Sequence, residues 1–220
     1  MNAIILGATG LIGKELLKIL LKNKHFQQVF TLTRSELKLE NNKHQNIITD
    51  FEKMQDFLPN DLKGDTFVYS CLGTTIKKAG SQDKFKKVDF DYVYSAALLA
   101  QKYNYKGFYL VTAIGADAKS MVFYTKTKGQ IENAVKELGI KSTYVFRPSL
   151  LLGEREENRM GEKIGIAVDK LFSPLMSFGP LKKYKGIEAS KVAENMLHYS
   201  LNAKQGFHII ENDEMLDLGS

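Results

Sequence analysis

The feature that most constrains this chain lies near its start. A short apolar run, Asn2 to Leu6 (NAIIL), opens directly onto Gly7-Ala8-Thr9-Gly10-Leu11-Ile12-Gly13. That motif, G-x-x-G-x-x-G, is followed at once by a helical pattern. Leu16, Leu17, Leu20 and Leu21 share one face of it, and Lys14, Lys18 and Lys22 the other. A glycine turn between strand and helix leaves the first backbone N–H groups of the helix clear of side chains. Those groups, at the positive end of the helix dipole, suit a pyrophosphate. Gly13 would let the helix pack closely on the strand. As bare spacing the motif is weak in a chain with 17 glycines; its place at the first strand-to-helix turn gives it weight.

The pattern then repeats. Apolar runs at Val29 to Thr33, Asn46 to Thr49, Thr66 to Cys71, Phe108 to Ala113, Thr143 to Arg147 and Phe207 to Ile210 read as strands. Helical periodicity follows at Asp89 to Tyr103, Tyr124 to Leu138 and Ala189 to Leu201. Continuous apolar strands alternating with helices imply a parallel sheet covered on both faces. The expected fold class is α/β: a single Rossmann-like, doubly wound parallel sheet. At 220 residues the chain suffices for one such domain, 1–220, and not for two. Only 149–186 breaks the alternation, with a short amphipathic pattern at Gly161 to Phe172 and a loop holding Pro174, Gly179 and Pro180. After a late strand, such an insertion reads as a small lid or substrate-facing segment.

Composition narrows the partners. With 31 basic and 25 acidic residues the net charge is +6 and the pI about 9.1, which suits an anionic ligand such as a phosphorylated cofactor. The lysines are scattered and no aromatic-basic motif accompanies them, so a solvated surface is expected rather than nucleic acid. No apolar run reaches about 18 residues, so no membrane span is expected. A signal peptide is not expected either, because the glycine motif begins within the first ten residues. One cysteine excludes a disulfide scaffold and fits a reducing, cytoplasmic setting. The thiol of Cys71, after an apolar run, reads as buried and inert. The four histidines show no metal-ligand spacing, so no metal is expected. Asp89, Asp91 and Asp117 read as helix-start and turn residues.

Two further positions carry chemistry. The second strand ends Thr31-Leu32-Thr33-Arg34-Ser35, with no acid before Glu36 to accept from a ribose 2′-OH. Arg34 can instead fork onto a 2′-phosphate, which favours NADP(H) over NAD(H). Tyr124-Thr125-Lys126-Thr127-Lys128 is Y-x-x-x-K, whose ends share a helix face. A phenol alone is a poor acid–base group at neutral pH, and a nearby ammonium favours its ionised form. Tyrosine and lysine are both abundant here, so position matters more than spacing. The pair opens the helix after the fifth strand, and Thr112 ends that strand with a hydroxyl. Tyr124, Lys128 and Thr112 are thus the candidate catalytic residues.

Together the glycine loop, the Tyr–Lys helix and the strand order resemble the short-chain dehydrogenase/reductase superfamily. Cys71-Leu72-Gly73-Thr74-Thr75, Val88-Asp89 with Asp91-Tyr92-Val93, Gly115-Ala116-Asp117 and Phe146-Arg147-Pro148 with Leu151 narrow the resemblance. They point to the atypical branch with the Tat-interacting-protein-like NAD(P)-binding oxidoreductases. The resemblance implies that Gly7 through Gly13 hold the pyrophosphate and Arg34 the 2′-phosphate. It implies Asp50 and Phe51 at the adenine, and Leu72, Gly73 and Thr74 along the ribose and pyrophosphate. Lys128 would bond the nicotinamide ribose, and Pro148 and Leu150 would border the carboxamide. The family often has two adjacent serines where this chain has Thr112-Ala113; Ser120 is a substitute hydroxyl.

The expectation is an NADP(H)-dependent oxidoreductase acting on a small carbonyl or alcohol substrate, as a monomer or homodimer. Two alternatives stand beside it: a weakly catalytic NADP(H)-sensing module that binds a partner protein, and an epimerase of nucleotide-linked sugars. In the charged run Glu154 to Arg159, Arg155 or Arg159 would receive an anionic or polar substrate group; the run otherwise reads as a solvated loop. Phe172, Leu175, Met176 and Phe178 would line a pocket or meet a partner.

Overall fold

The computed structural model describes residues 1–54, 62, 65–153 and 179–218. Seven parallel strands form the central sheet in the order β3-β2-β1-β4-β5-β6-β9. They are β1 (Asn2–Leu6), β2 (Gln28–Thr33), β3 (His44–Ile48), β4 (Thr66–Ser70), β5 (Gly107–Val111), β6 (Ser142–Arg147) and β9 (Gly206–Glu211). The short β7 (Leu151–Leu152) and β8 (Ile187–Glu188) pair separately. The strand order reverses between β1 and β4, the switch point where ligands of such sheets bind.

Every residue of β1, β4 and β5 is buried, as both-face coverage requires. Alternate residues feed opposite cores. Ala3, Ile5, Tyr69, Tyr109, Tyr144 and Phe146 pack with α1 (Leu11–Lys22), α6 (Ala189–Leu201) and α7 (Asn212–Asp217). Ile4, Leu6, Val68, Phe108, Leu110 and Val145 pack with α4 (Tyr92–Lys102) and α5 (Phe123–Glu137). β3 is less buried and begins earlier than its apolar run, because it is a sheet edge with a partner on one side only.

Two differences from the sequence-based reading matter. The helical path expected from Asp89 already begins at α3 (Gln82–Lys86), where the Ser81 side chain accepts the Lys84 N–H and Asp83 favours the first turn. It passes through a π turn at Lys87–Asp91 before α4. A single-turn helix, α2 (Ile76–Ala79), precedes it, capped by Thr75. Helix α7 was not expected; it is started by a capping box in which Glu211 and Glu214 each accept a backbone N–H.

The chain on either side of residues 154–178 is held together. Leu151 pairs with Ile187 and Leu152 with Glu188. Buried Asn212 clamps them, accepting the Ser149 N–H at 2.9 Å and donating to the Lys185 carbonyl at 2.8 Å. The stretch expected to be helical, Gly161 to Phe172, and Phe172, Leu175, Met176 and Phe178 lie outside the described residues.

Candidate functional site

The glycine loop is shaped by contacts that only glycine permits. Gly7 has φ of +82°, and a Cβ there would lie 2.5 Å from the Cys71 carbonyl oxygen. A Cβ on Gly13 would lie 2.1 Å from the Gly7 carbonyl oxygen. The first contact seats the β4 exit, Cys71 to Thr74, beside the loop; the second seats α1 on β1. Gly10 is the N-cap of α1, and no side chain caps it. The helix therefore presents its first N–H groups bare at the switch point, a cradle whose shape and polarity fit a pyrophosphate. The start of the insertion stands beside it, with a Cβ position at Gly153 3.5 Å from the Leu11 side chain. Under the loop Cys71 packs on the core, and burial pushes its thiol up to about 12.

Arg34 follows β2 directly, exposed and without a hydrogen-bond or ion-pair partner among the described residues. Past β3, Asp50 accepts the Glu52 N–H. Phe51 is buried and stacks on Tyr92 with ring centroids 5.5 Å apart. Its φ of 70° is a strained value for a non-glycine residue, the kind of backbone that persists where surrounding structure enforces it. Lys87 and Tyr92 both donate to Glu52 and hold its carboxyl below the usual carboxylate range.

At the other end, Tyr124, Lys128 and Glu132 stand on successive turns of α5. Tyr124 is half-buried, its ring 5.6 Å from that of Phe85, and its hydroxyl has no partner among the described residues. Lys128 is 4% exposed, and its Nζ lies 2.7 Å from Oδ1 of Asp89, which is 1% exposed. Asp89 Oδ2 accepts the Thr74 N–H at 3.0 Å. Asp89, expected only to start a helix, does more: the π turn aims its carboxylate inward, while Asp91 is exposed and Asp117, in the turn after β5, accepts the Lys119 N–H. A signal was present in the sequence, an acid inside an apolar stretch, Val88-Asp89-Phe90.

Thr112 is placed differently from the expectation. Its hydroxyl donates to Glu132 Oε1 at 2.6 Å. Arg147 donates to both oxygens of that carboxylate and to Glu211, and these carboxylates raise its pKa above the ordinary value. The Thr112 proton is therefore spent on a buried acid rather than aimed into the groove. Ser120 is engaged too: its hydroxyl lies 2.7 Å from that of Thr125 and accepts the Val122 N–H. The signal for Glu132 is the same stripe, since it lies one turn beyond Lys128 on the Tyr124 face of α5.

Leu72, Gly73 and Thr74 line the β4 exit above the Lys128–Asp89 pair. Pro148 is buried and its carbonyl accepts the Ile114 N–H, joining the loops after β5 and β6; Leu150 is 50% exposed. Arg155 and Arg159 lie outside the described residues. No group of side chains suited to a metal ion occurs among the described residues, and none of their helices is long and apolar enough to cross a membrane.

Known proteins resemble this chain in sequence and in fold. A family model described as NAD(P)H-binding matches residues 7–169. Protein HTATIP2 of Rattus norvegicus is 40% identical over 164 residues, 73% of this chain and 67% of that protein. The mitochondrial protein FMP52 of Candida albicans is 31% identical over 226 residues, spanning 100% of this chain and 99% of that one. Among solved structures, UDP-glucose 4-epimerase of Thermotoga maritima superposes with a TM-score of 0.67 at 16% identity, covering 96% of this chain and 77% of that one. At that identity the likeness speaks for the fold alone. With the glycine cradle, the switch point and relatives along its whole length, the chain belongs to the NAD(P)H-binding family, with HTATIP2 and FMP52 among its relatives.

Proposed function

We propose that the protein is an NADP(H)-dependent oxidoreductase for a small carbonyl or alcohol substrate, with Tyr124 as the acid–base group. One juxtaposition carries the reading. The glycine loop that leads into the bare N-terminus of α1 touches the β4 exit through Gly7 against Cys71 and Leu72 at the switch point, and the buried ammonium of Lys128 lies under Gly73 of that exit, one helical turn from the free phenol of Tyr124. The bound dinucleotide would supply the hydride donor or acceptor. The chain's own residues do the rest. Gly7, Ala8, Thr9, Gly10, Leu11, Ile12 and Gly13 hold the pyrophosphate, and Arg34 holds the 2′-phosphate. Asp50 and Phe51 border the adenine, Leu72 to Thr74 the ribose, and Pro148 and Leu150 the carboxamide. Lys128 bonds the nicotinamide ribose, and Tyr124 gives a proton to, or takes one from, the substrate oxygen. Thr112 would reach that oxygen only by releasing Glu132, so the proton falls to Tyr124. The insertion 149–186, with Arg155 and Arg159, supplies the substrate side. A reducing compartment suits the single cysteine; subcellular fractionation decides between the cytoplasm and the mitochondrion named for the Candida relative.

The test has two parts. NADPH should bind more tightly than NADH, and Arg34→Ala should abolish that preference; tighter NADH binding with no effect of Arg34→Ala refutes the cofactor assignment. Tyr124→Phe should abolish turnover and leave dinucleotide affinity nearly intact; retained turnover refutes the mechanism. A second reading, an NADP(H)-sensing module that turns over little, is favoured by the commitment of both the Thr112 and Ser120 hydroxyls to protein groups. Single-turnover oxidation of bound NADPH across a carbonyl panel separates the two.

A further inference from the structure

Asp89 ties together two elements of the site. Its two oxygens serve two different elements: Oδ1 meets the Lys128 ammonium on α5 at 2.7 Å, and Oδ2 accepts the Thr74 N–H on the β4 exit at 3.0 Å. The pair lies directly beneath that exit, since a Cβ at Gly73 would stand 3.7 Å from Asp89 Oδ1 and 4.0 Å from Lys128 Nζ. Oδ1 has no donor other than this ammonium among the described residues. Both side chains are at least nine-tenths buried, and such a pair yields little net stability for the cost of desolvating two charges. A buried pair that contributes little to stability invites a reading in terms of position.

The surroundings offer Lys128 no second counter-charge among the described residues. On α5, Glu132 is committed to Thr112 and Arg147, and Tyr124 carries a phenol. On the π turn Asp91 is exposed, on the loop after β5 Asp117 is exposed, and the β4 exit brings Gly73 and Thr74, neither titratable. We infer that Asp89 is a positioning residue for dinucleotide binding. One carboxylate sets the ribose-binding ammonium and the loop along the pyrophosphate in a single frame, and supplies the charge that lets the ammonium stay buried there. This rests on the proposal that Lys128 meets the nicotinamide ribose.

Asp89→Asn tests it, because the amide oxygen can still accept the Thr74 N–H while the negative charge is gone. A buried amine without a counter-charge favours its neutral form. Two readouts follow. In the unliganded protein, the folded variant gives up the Lys128 proton at lower pH than its unfolded chain does. The variant's stability then rises with pH relative to wild type, so its Tm deficit should narrow between pH 6.5 and 9.5. In NADPH titrations the variant should bind on the order of tenfold more weakly than wild type at pH 9, and with a smaller loss at pH 6.5. Lys128→Met gives the size of the lysine's own contribution, and adding it to Asp89→Asn should recover Tm, because the stranded charge is removed. A Tm deficit and an affinity ratio that both stay constant with pH overturn the inference. Lys128→Met binding NADPH as tightly as wild type overturns the underlying reading of the site instead, while the unliganded Tm series still decides whether Asp89 holds the charge.

Discussion

Replacing Thr112 with valine separates a structural hydroxyl from a substrate-facing one. The side chain is 5% exposed, its acceptor Glu132 3%, and the bond between them is 2.6 Å long. Valine keeps the shape and removes the donor, leaving Glu132 with Arg147 alone. A lost hydrogen bond to a charged acceptor costs roughly 1.5–3 kcal/mol. In a domain of this size each kcal/mol lowers Tm by about 2–4 °C, so the drop should be roughly 3–12 °C. Thr112→Ser keeps the donor and loses one methyl group, at a cost of about 1 kcal/mol, and should fall by less than the valine variant. Thermal unfolding by circular dichroism reads both. A valine variant that melts with wild type, or a serine variant that melts below the valine variant, would refute the assignment. If Thr112 instead served a substrate oxygen, Thr112→Val would lose turnover at unchanged Tm.

Three further outcomes are expected. Gly13→Ala puts a Cβ 2.1 Å from a backbone carbonyl with no side chain able to yield, so the variant should lose dinucleotide binding and melt well below wild type; a soluble variant that binds NADPH normally would contradict the close approach of α1 to β1. Cys71, raised from an ordinary 9.0 to about 12 by burial, contributes stability that is full below pH 9 and is lost as pH rises toward 12, because the unfolded chain releases that proton first. The wild-type Tm should therefore fall across that window, and Cys71→Ala should blunt the fall. Asn212→Ala removes the clamp on Ser149 and Lys185, and hydrogen exchange should accelerate at residues 149–153 and 185–188 while the central strands stay protected.

The glycine cradle was legible because its requirements are local. A positive φ at Gly7 and a bare turn before α1 are properties of consecutive residues, and the apolar runs of β1, β4 and β5 announce burial on both faces without reference to anything distant. The Tyr124–Lys128 stripe was legible for the same reason, since helical periodicity places both on one face.

What the amino-acid order could not disclose is which charges share a buried space. Asp89 and Lys128 come from different crossovers, and Thr112, Glu132, Arg147 and Glu211 from four separate elements. Apolar neighbours such as Val88 and Phe90 can hint that a carboxylate is enclosed, but not which cation encloses it. The energetic worth of that carboxylate depends on the desolvation it suffers, and folding alone sets that. The apolar runs and the first glycine turn already specify a doubly wound parallel sheet with a cradle at its first crossover; packing across that sheet sets the lysine against Asp89 and gives the strand-end hydroxyl to Glu132.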